Sequence, residues 1–167
     1  MYERGSCFVM KFQIPNFPLF ILSGILTWNL FHQSLAIGVN SILTNGSLLK
    51  KVQVPAAIFP AASVASVFVN FCLSMLPFFL LSLYYTGKIS SVILLLPFFL
   101  LPFVIFIFGI VLIISALNVS FRDIGHILEP VLQAVFYATP IVYPENALPE
   151  KVIKWLNINP MTHFVKA

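Results

Sequence analysis

Charge is scarce in this chain. Nine Lys and Arg and five Asp and Glu make up 8% of its 167 residues, where a soluble domain carries roughly a quarter. None of them interrupts Phe12–Leu49, Val52–Gly87 or Ile89–Phe121. A helix needs about 20 residues to cross a hydrocarbon core of about 30 Å, so each stretch is long enough to span. With 60% apolar residues, most of the surface must face lipid or other helices rather than water. The net charge of +4 is spread over isolated bases that form no stripe, so nucleic acid is excluded as a partner.

Other absences narrow the chemistry. Cys7 and Cys72 stand far apart with no C-x-x-C or His-Cys spacing, which leaves no zinc site and no redox pair. Met1–Met10 lacks the apolar core of a secretory leader. There is no G-x-x-x-x-G-K-[ST] loop to cradle a nucleoside triphosphate, no H-E-x-x-H and no G-x-S-x-G. His32 and His163 read as isolated. The expectation is a non-enzymatic chain with no catalytic, metal or cofactor-binding residues of its own.

What is present is an all-α integral membrane protein: a polytopic helical bundle with about four spanning helices and a broken, re-entrant segment near the C-terminus. A first span covers about Pro18–Ser41, with Asn29, Gln33, Ala36 and Asn40 recurring on one helical face. Lipid does not tolerate that face, so it meets protein or lines a polar conduit. The polar connection Thr44–Pro55 follows. Asn45-Gly46 signals a turn, Ser47 is a candidate cap for a short helix, and Pro55 ends it. Lys50 and Lys51 at its centre read either as lipid-phosphate anchors or as a docking surface for a cytoplasmic partner.

A second span, about Ala56–Tyr84, carries Ser63, Ser66, Asn70 and Ser74 along a stripe read as a packing seam, and Pro77 is expected to kink it. Tyr84-Tyr85 marks an interface and Thr86-Gly87-Lys88 a turn before the third span, about Ser90–Leu117. Leu128–Thr139 is too short to cross unaided. Starting that helix at Ile124 lengthens it but draws His126 and Glu129 towards the membrane. Pro140 and Pro144 then break the backbone, which survives at depth only where protein or water satisfies the freed groups. Pro149–Leu156 reads as a short interfacial amphipathic helix. Arg122-Asp123, just past the third span, is either a pairing site or a solvated connection, and the sequons at Asn45 and Asn118 carry little weight.

The run LNVSFRDIGHILEPVLQAVFYATPIVYPENALPEKVIKWLNINP, Leu117–Pro160, resembles the signature region of ABC-2 type permeases that export polysaccharides such as O-antigen, capsule and teichoic acid. Asn118, Arg122-Asp123, Phe136-Tyr137, Thr139-Pro140-Ile141, Tyr143-Pro144 and Asn159-Pro160 carry the likeness. Upstream, IPNFPLFILSGILTWNLF and NGSLLKKVQVP match in the same order. The resemblance implies one ABC-2 type transmembrane domain over residues 1–167, partial at both ends. It also implies a permease that pairs with itself and with ABC ATPase subunits, ATP being bound on those separate subunits. The cargo it implies is a lipid-linked glycan, moved across a plasma membrane, the inner membrane in a Gram-negative cell.

On the same resemblance, Leu48, Leu49, Lys50, Lys51 and Val52 fall in the loop that couples to the ATPase. Phe136, Tyr137, Tyr143 and Trp155 fall at the outer mouth and re-entrant helices, where they either stack on sugar faces or form an aromatic belt. Arg122 and Asp123 form the family's charged pair. Counting Lys and Arg over four spans places both termini inside, whereas the resemblance places them outside; the resemblance is preferred. Beside glycan export stand an ABC-2 exporter of a drug or lipid, a non-transporting truncated remnant or assembly subunit, and, least supported by so few ionisable groups, a membrane-embedded transferase.

Overall fold

The computed structural model describes residues 17–86 and 96–139, and among them all regular structure is helical. In chain order the elements are α1 (Phe17–Gly38), two single-turn helices α2 (Ser41–Thr44) and α3 (Gly46–Leu49), then α4 (Ile58–Thr86), α5 (Leu96–Ser120) and α6 (Ile124–Ala138). The three long helices form one packed group, α1 lying against both α4 and α5.

Helical spacing explains the core. α1 buries Trp28, Phe31 and Leu35, α4 buries Val64, Val67, Phe71 and Met75, and α5 buries Phe103, Ile107 and Val111. Steps of three and four put each set on one stripe, and the three stripes meet. Gly38 brings α1 close to α5, because a Cβ there would overlap Cγ1 of Val111. Glycine at such a crossing lets two backbones approach where no driving force from water assists association.

The outer faces are as apolar as the core. Val69, Leu73, Leu76 and Leu80 on α4 and Leu101, Ile105 and Ile113 on α5 are all exposed. A surface of this kind suits hydrocarbon, not water. Ile58–Tyr84 and Phe98–Ser120 are long and apolar enough to cross a membrane, with mean hydropathies of 2.1 and 3.0. α1 is 22 residues long, with Asn29, His32 and Gln33 set in an otherwise apolar sequence.

The all-α polytopic reading of the sequence therefore holds, with local corrections. α4 continues as one helix through Pro77, which lies inside the expected span. Ser47 does not cap the short helix: Asn45 occupies the position before α3, and its side-chain amide is turned back to the Ser41 carbonyl at 2.8 Å. The stripe of Ser66, Asn70 and Ser74 is exposed rather than packed within this chain, because α4 presents Val64, Val67, Phe71 and Met75 to its neighbours instead. α6 starts at Ile124 and contains Pro130, so His126 and Glu129 belong to it. At 15 residues it reaches about 22 Å, short of a crossing. The breaks at Pro140 and Pro144, the amphipathic stretch Pro149–Leu156 and the turn at Gly87-Lys88 lie outside the described residues.

Candidate functional site

Four features gather around α1. The first is the connection from α1 to α4. The first of its short helices, α2, is held by its own small polar side chains: Ser41 Oγ donates to the Gly38 carbonyl (2.7 Å), and Thr44 Oγ1 to the Asn40 carbonyl (2.7 Å). The backbone N–H groups of Lys51 and Val52 then bond to the Leu48 carbonyl at 3.0 and 2.9 Å, closing a turn. This turn presents Leu48, Val52, Lys50 and Lys51 outwards, while Leu49 is half-buried. Two apolar side chains beside two cations make a small mixed surface on an otherwise oily chain.

The second is an amide clasp. Asn118, in the last turn of α5, is fully buried. Its Nδ2 donates to the Val39 carbonyl (3.0 Å) and to Asn40 Oδ1 (3.0 Å), and its Oδ1 accepts the Gly125 N–H at 3.1 Å. Gly125 is the second residue of α6, where a helix leaves N–H groups without an internal partner. One side chain thus ties the end of α1, the end of α5 and the start of α6.

The third is a cleft between α1 and α4, lined by Asn29, Gln33, Asn70 and Ser74 with Leu26, Leu30, Val67 and Phe71 at its base. The two polar stripes of the sequence converge here. Asn29, Gln33, Asn70 and Ser74 are exposed, and Asn70 lies about 18 Å along α4 from Ile58, near the middle of a bilayer-sized span. The cleft offers amide and hydroxyl groups of both hydrogen-bonding senses and no charge.

The fourth is the docking of α6 on α1. The rings of Trp28 and Phe136 lie 5.2 Å apart, and His32 Nε2 stands 3.4 Å from Glu129 Oε1. His32 is therefore not isolated.

The other sequence-derived candidates divide. Phe136 turns inwards onto Trp28, and Tyr137 is exposed, its ring edge-on to Phe136 at 5.7 Å. Arg122 and Asp123 are exposed in the turn between α5 and α6, and no ion pair among the described residues involves them. Asp123 holds α6 through its backbone carbonyl, which accepts the N–H groups of His126 and Ile127 (3.0 Å each), with no side-chain cap. Tyr143 and Trp155 lie outside the described residues. No group of metal-ligating side chains occurs among the described residues. Sequence reasoning passed over Trp28, Gly38, Gly125 and the structural use of Asn118. Only the last carried a signal, its place in the run Asn118–Asp123.

A group of apolar helices with a short basic connection, and a second polar joint at the same end, defines a membrane-embedded helical protein. The chain belongs to the ABC-2 type transporter family, whose model matches residues 5–167. It is 34% identical over 159 residues to an O-antigen export system permease protein of Myxococcus xanthus, and 32% and 30% identical over the same length to two such proteins of Klebsiella pneumoniae. Each comparison covers 94% of this chain but 61% of the relative, so the chain spans about three fifths of the length of the curated relatives it matches.

Proposed function

We propose that the chain forms the membrane-spanning part of an ATP-binding-cassette exporter that moves a lipid-linked polysaccharide outward across the plasma membrane, the inner membrane in a Gram-negative cell. The observation that carries the reading is the cleft of Asn29, Gln33, Asn70 and Ser74 midway along helices whose other exposed faces are largely apolar. Uncharged amides and hydroxyls match the alternating donors and acceptors of a sugar chain, and they bind no member so tightly that passage stalls. The relatives named as O-antigen export permeases support the same cargo class. A second copy of the chain completes the passage, and ATP is hydrolysed on a partner subunit that docks on Leu48, Leu49, Lys50, Lys51 and Val52.

Two results test this. In a host lacking its own O-antigen permease, the full-length protein expressed with its ATPase restores surface polysaccharide. Lys50→Glu with Lys51→Glu weakens co-purification of the ATPase about tenfold or more, equivalent to ~1.4 kcal/mol, and export falls with it. Unchanged association removes the loop from the mechanism. Separately, Gln33→Leu with Asn70→Leu leaves ATPase association intact and lowers polysaccharide export, whereas full export by this pair removes the cleft from the path. Export of an apolar drug with no polysaccharide at the surface would move the chain to another ABC-2 cargo.

A further inference from the structure

The clasp at Asn118 has a mechanical consequence. Side-chain-to-backbone and backbone bonds run without a gap from it into the basic loop. Asn118 holds Val39 and Asn40, Thr44 bonds back to Asn40, and Asn45 bonds back to Ser41. The N–H groups of Leu48 and Leu49 then bond to the Asn45 carbonyl at 3.0 and 3.2 Å. In the other direction the same amide grips Gly125 at the head of α6, whose far end rests on Trp28 through Phe136. Short helices stapled by their own side chains transmit displacement, whereas a flexible loop absorbs it.

The joint is also closely packed. A Cβ on Gly125 would stand 3.2 Å from Asn40 Oδ1, a tight contact that Asn40 would have to relieve by a few tenths of an ångström, and 3.6 Å from Asn118 Oδ1, an ordinary contact. An ordinary helix start is capped from the residue before it. Here Asp123 supplies no side-chain cap, and the side-chain oxygen comes instead from a different helix.

We propose that Asn118 is a positioning residue that makes the Leu48–Val54 loop and the head of α6 move as one body, so that a push on the loop reaches α6. The origin of that push rests on the function proposed above; the rigid linkage does not. The test places spin labels at Ser47 and His126, both exposed, in a background with Cys7→Ser and Cys72→Ser, and measures their distance distribution in lipid nanodiscs. Leu73 and Ile105, exposed on α4 and α5, carry a control pair.

Asn118→Leu keeps the branching and the number of heavy atoms and removes all three bonds. It is expected to broaden the Ser47–His126 distribution about twofold while the control pair keeps its parent width. Asn118→Asp keeps the acceptor for Gly125 and loses both donated bonds, and it is expected to broaden the same distribution. The parent width in both variants overturns the proposal. So does collapse of the control distance in both, which would make Asn118 a folding residue. With the ATPase present, Asn118→Leu is expected to retain association and hydrolysis and to lose export. A parent chain that binds no ATPase refutes the functional reading and leaves the spin-label result standing.

Discussion

Gly38→Val is expected to force α1 away from α5, and Val111→Ala is expected to restore most of what is lost. Even the first added carbon of any side chain at Gly38 overlaps Val111 Cγ1, and it would lie 3.3 Å from Cγ2 and 3.4 Å from Cβ of the same residue. Val111 cannot turn aside. It is fully buried, and branching at Cβ leaves its side chain few rotamers within a helix. The helices must therefore separate, and overpacking of this kind costs about 1–3 kcal/mol.

Two effects oppose that cost, and both are smaller. A side chain in place of glycine raises helix propensity by up to about 1 kcal/mol, least for a β-branched residue. A wider gap also admits lipid, which is no worse a neighbour than leucine. The net expectation is a loss of about 1–2 kcal/mol for Gly38→Val, measured by unfolding in mixed detergent and SDS. Gly38→Val combined with Val111→Ala should recover a large share of it, a coupling that only residues in contact display. Wild-type stability in Gly38→Val alone would mean that α1 and α5 do not approach as closely as the structure has them.

The contrast between this pair and the polar features shows what was legible in the sequence. Charge-free runs announced the three long helices, because burial in lipid demands length and apolarity and both can be counted. The polar stripes of α1 and α4 were legible as faces at helical spacing, yet not as the two walls of one cleft, since nothing local sets the rotation of one helix against another. The seam read on α4 is not the stripe that packs within this chain, for that reason: Val64, Val67, Phe71 and Met75 offer a competing stripe that is buried instead. Asn118 bonds Val39 and Asn40 across more than seventy residues of sequence, and no periodicity reaches that far. His32 and Glu129 were read separately for the same reason. Lys50 and Lys51 were placed correctly in an exposed turn because Asn45-Gly46 and Pro55 bracket them with local backbone preferences.

Trp28→Ala is expected to release α6 from α1. Trp28 is 6% exposed and touches Phe31, His32 and Phe136, at ring separations of 5.7, 6.2 and 5.2 Å. Truncating a core tryptophan in a soluble protein costs about 3–5 kcal/mol. Part of that is transfer from water, which does not apply where the alternative surroundings are hydrocarbon, so the lost contacts and the cavity leave about 2–3 kcal/mol. The polar tie between the two helices is His32 with Glu129, and Leu128, Leu132 and Val135 of α6 pack into the same core. That pair is weak: the Glu129 side chain is 66% exposed, and exposed ion pairs contribute about 0–1 kcal/mol. The aromatic contact therefore outweighs the ion pair, and its loss should loosen the C-terminal half of α6 while the amide clasp still holds the first turn. A cysteine placed at Leu132, which is 2% exposed in the parent, reports the release directly. Maleimide labelling at that position should rise about tenfold or more in Trp28→Ala, which about 1.4 kcal/mol of lost docking would already produce. Trp28→Phe keeps a ring against Phe136 and should leave Leu132→Cys protected. Equal protection in Trp28→Ala and the parent would shift the anchoring of α6 to Asn118 alone.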